Sequence, residues 1–248
     1  MNSLLIRENE GWESGDIVLV GKRARDVFHS NQFVLGQRVI VAQLGGDKGV
    51  AEVCRYGADR IELTLRHTEP SLALRPIDLV VGLARPQTTK KIIQIAVMSG
   101  VRSLHLVHTT LGEKSYLDSH ILKPEFLQDE VVKALEQIGE GLYPNIYVHR
   151  SFRFLPWDQF EPPNPSQAIV KLVAVPGEPL SSPLVEDSCR GLHGLVLAVG
   201  PEAGWTDKER SALLERGFTG IGLGPRIVRV ELALALLLGQ SLLADFVN

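Results

Sequence analysis

Two stretches of the sequence place polar side chains where apolar strands run out. The first is LVLAVGPEAGWTDKER at Leu195–Arg210. Thr206 and Glu209 form the T-x-x-E pattern of a capping box, which predicts a helix start there. The loop before it then lies at the carboxyl end of a strand, the edge where open α/β sheets bind ligands. Gly200 and Gly204 permit tight backbone paths and Pro201 stiffens the turn, so Glu202 can be held facing a ligand. The second stretch, GLGPRIVRVE at Gly222–Glu231, repeats the design: a strand, a proline, then a helix. Arg226 and Arg229 stand at the mouth of that apolar helix, suited to a phosphate or a base edge. Ordinary strand-to-helix turns and surface ion pairs remain the alternatives for these residues.

Other chemistries lack their patterns. GLGPRI begins like a dinucleotide fingerprint, but Ile227 stands where its third glycine should be. There is no GxxxxGK[ST] phosphate loop and no GxSxG elbow. His105 and His108, three apart on a predicted strand, point to opposite faces and read as strand histidines. Cys54 and Cys189 form no CxxC pair and no zinc spacing, so no metal is expected. The opening MNSLLIRENEGW shows no charged-then-apolar leader, and LALALLL is well short of a membrane span. A cytoplasmic protein without membrane attachment is the expectation. The net charge of −3 argues mildly against a nucleic-acid binder but leaves local basic patches open.

The elements that position these loops form two parts. Residues 1–72 read as short β-branched strands: DIVLV, QRVIVAQL, GVAEVCRY and RIELTLR, with no long helical pattern among them. Val39, Val41, Ile61, Leu63 and Leu65 alternate as in a small barrel with one solvated face. TEPSLALRPID reads as a linker. Residues 73–248 alternate strands with helices, which predicts an α/β fold with a parallel sheet under helical cover. Strands are expected at DLVVGLA, SLHLVH, NIYVH, AIVKLVAV, LVLAV and GIGLG. Helices are expected from Thr88 as N-cap to Gly100, from about Pro124 to Gly139, near Pro183–Arg190, over TDKERSALLERG, and from about Val230. The last helix, ELALALLLGQSLLADF, is apolar almost all round, which suits a core helix or one squeezed between its own sheet and a second subunit.

On these residues a resemblance can be stated. AVGPEAGW resembles the IGPEGG-F motif, and LGPRIVRVELA the LGxRILRxETA motif, of the ribosomal RNA small subunit methyltransferase E family, in the SPOUT class. RARDVFHSNQFVLGQRVIV is similar to the family's amino-terminal stretch, while EKSY at Glu113–Tyr116 and FRF at Phe152–Phe154 resemble a variant branch. The resemblance implies a PUA-like β-barrel that helps hold RNA, then an α/β domain with a C-terminal trefoil knot. It implies a homodimer, S-adenosylmethionine as cofactor, and methylation of N3 of a uridine in small-subunit (16S) ribosomal RNA during ribosome biogenesis. The cofactor would be lined by Leu197, Val199, Gly200, Pro201, Gly204, Leu223, Gly224, Ile227, Val228 and Val230. Arg229 would stabilise the developing anion, and Glu231 or Glu202 would orient it or accept the proton. RNA contacts would come from Lys22, Arg23, Arg25, Arg85, Lys90, Lys91, Arg150, Arg153 and Arg226. Another RNA, such as a ribose hydroxyl in transfer RNA, or a non-catalytic RNA-binding assembly role, are the rival readings. Three positions depart from the family pattern: Ala203 for glycine, Leu232 for threonine, and Met98 for glutamate. They are expected near the site and leave the target nucleotide open.

Overall fold

The computed structural model describes residues 3–162, 164, 167–177 and 193–241. They fall into two compact units, Met1–Ala73 with Val131–Tyr143, and Leu74–Glu130 with Pro144–Asn248. The helix expected near Pro183–Arg190, and Cys189 within it, lie outside the described residues.

The first unit is built on β1 (Leu4–Ile6), β2 (Asp16–Val20), β3 (Arg38–Gln43), β4 (Lys48–Tyr56) and β5 (Arg60–Glu69). Their order across the sheet is β1-β3-β4-β5-β2. The β1–β3 pair is parallel and the other pairs are antiparallel. Val39, Val41, Ile61 and Leu63 turn inward with Leu4, Ile17 and Leu19, so the period-two pattern marks the buried face. The expectation of a stretch without helix is corrected by α1 (Gly21–Ser30), between β2 and β3. Only Ala24 and Val27 of α1 are buried, and no side chain caps its N-terminus, so both periodicity and start signal are weak.

The second unit holds β6 (Arg75–Gly82), β7 (Val101–Val107), β8 (Asn145–His149), β9 (Ile169–Ala174), β10 (Gly194–Val199) and β11 (Thr219–Ile221). They form a parallel sheet in the order β11-β9-β10-β6-β7-β8. Every residue of β10 is buried, as its unbroken apolar run requires of a strand covered on both faces. The helices are α2 (Pro86–Met98), α3 (Pro124–Ile138), α4 (Asp207–Leu214) and α5 (Val230–Ser241). From Val131 onward, α3 belongs to the first unit. α2 starts at Pro86 instead of after a Thr88 cap. Proline suits the first helical position because its missing N–H would have had no partner there. Gly100 follows the helix in the left-handed region at φ 63°, as a C-terminal glycine should.

His105 is buried in β7, its Nδ1 2.9 Å from His149 Nε2 and its Nε2 3.1 Å from Ser103 Oγ. Burial, with His149 beside it, pushes its pKa down to about 4. It is therefore a neutral core residue. His108 lies beyond the strand with Nε2 3.1 Å from Gly112 O. Among the described residues no group of histidine, cysteine, aspartate or glutamate is assembled to hold a metal ion, and no helix is long and apolar enough to cross a membrane.

The strand order reverses between β6 and β10. From β6 the chain steps to β7 on one side; β10 lies on the other. Gly82 ends β6, and a Cβ there would lie 2.2 Å from Pro201 Cδ and 2.5 Å from Pro201 N. The bend after β10 thus crosses the end of β6 at a distance only glycine permits. Gly82→Ala is expected to lower unfolding free energy by about 1–3 kcal/mol through overpacking, measured by urea denaturation. An unchanged midpoint would show that the bend does not depend on this approach.

Candidate active site

The carboxyl edge of the second unit's sheet surrounds a cavity of about 1030 Å³. Four strand-to-helix or strand-to-loop bends line it: Arg85–Thr88 after β6, Ala174–Gly177 after β9, Val199–Trp205 after β10, and Leu223–Val230 after β11. Lys91, Tyr116, Ile221, Glu231 and Ala233 complete the wall. The two stretches singled out in the sequence therefore meet around one space.

Local chemistry explains each bend. Gly200 has Gly204 Cα 3.1 Å from where a Cβ would be, so a side chain at this position would push the turn open by a few tenths of an ångström. Gly204 sits at φ 76° and Gly224 at φ 87°, in the left-handed region that favours glycine. Ala203 is not in that region, since no described non-glycine residue has positive φ. The capping box at Thr206 forms as the sequence required, with Glu209 N–H donating to Thr206 Oγ1 at 3.2 Å. Glu209 does more than close the box. Its Oε2 accepts from Thr206 N–H and Oγ1–H at 2.9 and 2.8 Å. Its Oε1 accepts from Thr110 N–H and Oγ1–H at 2.8 and 3.1 Å. One buried carboxylate thereby ties the start of α4 to the loop after β7.

The charged groups of the wall are also held. Glu202 Oε1 accepts from Arg85 N–H at 3.2 Å, joining the bends after β6 and β10. Glu231 Oε1 accepts from Lys91 Nζ at 3.1 Å. The Glu231 carboxyl lies below its ordinary value because its own backbone N–H bonds it, with Lys91 and Arg229 adding to the effect. Tyr116 hydrogen-bonds Glu113 and Arg85.

Of the residues expected to line a cofactor, Val199, Gly200, Pro201, Gly204, Leu223, Gly224, Ile227, Val228 and Val230 all reach the cavity. Leu197 does not. It is 1% exposed in mid-strand, paired with Leu79 and Leu172, and belongs to the core. Its side chain lies too far back along β10 to reach the carboxyl edge. Glu202, Arg229 and Glu231 line the cavity together, and so do Arg85, Lys91 and Arg226. Lys90 is paired with Glu130 at 3.1 Å. Arg150 and Arg153 are exposed, Arg153 within the short helix Phe152–Phe154, and neither lines the cavity. Lys22 and Arg25 are exposed on α1, whereas Arg23 turns inward: its Nη2 donates to Leu5 O at 2.6 Å and its Nε to Glu10 at 3.3 Å. Met98, Ala203 and Leu232, expected near the site, form no part of the cavity wall.

Sequence reasoning did not assign Trp205, Tyr116, Gln87, Thr88 or the Ala174–Gly177 bend to the site. The signal for the last was present, because Pro176–Gly177 is another turn pair closing an apolar strand. Trp205 carries its own signal in the structure: its indole Nε1 is buried without a protein acceptor.

With this geometry in hand, comparison with known proteins decides the family. The RNA methyltransferase domain model matches residues 70–241. The chain belongs to that family. Among curated proteins it is 34% identical over 163 residues to the ribosomal RNA small subunit methyltransferase E of Treponema pallidum, covering 65% of this chain and 59% of that one. It is 24% identical over 164 residues to the ribosomal RNA small subunit methyltransferase E 1 of Borreliella burgdorferi, covering 64% of each. The match thus spans less than two thirds of these relatives' own length. The fold is shared with a crystal structure of the ribosomal RNA small subunit methyltransferase E of Neisseria gonorrhoeae bound to S-adenosylmethionine. That likeness has a TM-score of 0.73 at 19% identity and covers 96% of this chain and 95% of that one.

The Glu209 junction gives a pH-dependent expectation. Burial alone would raise the Glu209 carboxyl; its hydrogen bonds with Thr110 and Thr206 hold it below its ordinary value. A lowered carboxyl contributes stability above its unfolded pKa, and loses it as the pH falls through the folded value. Glu209→Gln should therefore cost about 1–3 kcal/mol at neutral pH. That difference should shrink as the pH falls below the ordinary carboxylate range and through the lowered folded value, followed by thermal unfolding across the range. A penalty independent of pH would mean that the charge is not what bonds the loops.

Proposed function

We propose that the protein is an S-adenosylmethionine-dependent RNA methyltransferase whose target is N3 of a uridine in small-subunit (16S) ribosomal RNA. The reading rests above all on one observation: the bends ending in Trp205 and opening at Leu223 enclose a single cavity that also holds Arg229, Glu231 and Glu202. A cavity of this kind, mostly apolar with a few convergent polar groups, suits a small cofactor. The residues fit the cofactor's chemistry. Val199, Leu223, Ile227, Val228 and Val230 offer apolar surface for adenine and a methionine tail. The Trp205 side chain adds an aromatic surface to the wall. When bound, S-adenosylmethionine would supply a sulfonium-activated methyl group.

The chain's own residues would do the rest. A uridine N3–H is only weakly acidic, so the site must stabilise the anion and accept the proton. The Arg229 guanidinium would face the charge developing over the base. Glu231 or Glu202 would orient that arginine or take the proton. The cavity wall would align N3 behind the methyl group, because displacement demands positioning as much as charge. Arg85 and Arg226 at the cavity, with Lys22, Arg25, Arg150 and Arg153 elsewhere, would meet phosphates. The first unit would serve as a PUA-like RNA-binding domain, and the bends of the second would form a trefoil knot, acting in the cytoplasm. A homodimer would cover Leu232 and Leu236 of α5, which are 48% and 45% exposed in the single chain.

Calorimetry should show one S-adenosylmethionine per chain, and mass spectrometry of RNA from cells lacking the protein should show one uridine unmethylated. No cofactor binding would favour the non-catalytic assembly role. Arg229→Ala should retain the cofactor and lose methyl transfer by roughly 100-fold or more; retained turnover would remove it from the chemistry. Lys22→Ala with Arg25→Ala should weaken RNA binding and reduce the salt slope by about 2. An unchanged slope would take α1 off the RNA surface.

A further inference from the structure

The Lys91–Glu231 pair has no evident structural purpose. Lys91 lies on the second turn of α2 and Glu231 on the first turn of α5, with side chains 54% and 15% exposed. An ion pair this open contributes little to stability. Both residues nevertheless line the cavity, and the pair fixes the oxygen of a carboxylate that also feels Arg229. Helix α2 and strand β10 pack on α5. From α2 the charged group that reaches Glu231 is Lys91, and β10, GLVLAV, offers only apolar side chains. Lys90, one residue away, is turned to Glu130. Glu231 is therefore ion-paired with Lys91 from α2, while the charge of Arg229 on its own bend acts on it from further off.

We infer that Lys91 is a positioning residue: it anchors Glu231 so that the carboxylate orients Arg229 toward the base, and leaves the proton of N3 to another acceptor. This rests on the methyltransferase reading above. A carboxylate attracted by two cations is a poor base, because taking a proton would forfeit both attractions. Glu202 is the other carboxylate on the wall, held by Arg85 N–H and in no ion pair among the described residues. With the cofactor bound, the N3–H proton would pass to Glu202, and the electron pair left on N3 would take the methyl group that the sulfonium supplies, leaving a neutral thioether. The sequence suggested phosphate binding for Lys91; its geometry assigns it a task inside the site.

The test uses the full chain with S-adenosylmethionine and small-subunit ribosomal RNA, comparing Lys91→Met and Lys91→Arg with the wild type. Lys91→Met should lower kcat by roughly 10- to 100-fold, with KM for RNA and the calorimetric Kd for cofactor unchanged. Lys91→Arg should restore most of the rate. Carbon-13 titration of the Glu231 carboxyl should move to higher pH in Lys91→Met, and the unfolding midpoint should stay in place. Wild-type kcat in Lys91→Met, or a loss confined to KM for RNA, or no recovery with arginine, would overturn the role. A wild-type chain that neither binds the cofactor nor methylates would instead bring down the methyltransferase reading, and this role with it.

Discussion

The site depends on a close approach between two stretches of main chain. Where β6 ends at Gly82, the turn Gly200–Pro201 passes within a distance that no side chain would allow. Part of the cavity wall follows from that crossing. It brings Glu202 to the backbone N–H of Arg85, and so fixes the start of α2 relative to the bend after β10. It also lets the loop fold tightly enough that Gly200 and Gly204 touch. Parallel strands supply the rest of the geometry, because all their carboxyl ends lie at one edge and their bends must share the space beyond it.

That edge is rigidified by a buried charge that touches no ligand position. Glu209 gives each carboxylate oxygen two donors, from two different loops. A buried carboxylate is costly unless its lone pairs are met, and here they are. The benefit is geometric. Thr110 follows β7 and Thr206 follows β10, so the carboxylate links loops from either side of β6. A capping box alone would have asked only for Thr206 as partner. The core beneath uses the opposite device: His105 is kept neutral by burial, and neutral groups pack between strands without counter-charge.

How much of this was legible follows from where the signals are local. The strands and the capping box are written in short windows, and DIVLV, NIYVH and T-x-x-E stand where those windows place them. The two bends were legible because proline and glycine state their purpose locally. α1 was not, since GKRARDVFHS buries just Ala24 and Val27 and draws its stability from tertiary contact. Leu197 was misplaced because one-dimensional nearness to Gly200 does not say how far back along a strand a side chain sits. Tyr116 and the Ala174–Gly177 bend needed the strand order, which long-range pairing sets. Arg23 shows the same limit for charge. Its sequence neighbours Lys22 and Arg25 are exposed, while it is spent on Leu5 O and Glu10.

The arrangement also explains how a chain of net charge −3 can present a cationic site. Arg85, Lys91, Arg226 and Arg229 converge on one cavity with Glu202 and Glu231, so the local balance there is two positive charges against an overall negative one. Fields in a cleft are set by such nearby groups and are focused by low-dielectric walls. The acids do not cancel the effect uniformly. Glu231 is engaged by Lys91 and Glu202 by a backbone N–H, which leaves the guanidinium groups of Arg226 and Arg229 exposed at the mouth of α5. The apolar character of α5 then has a second consequence. Leu232 and Leu236 are exposed on its first two turns, so apolar surface follows the arginines along the chain.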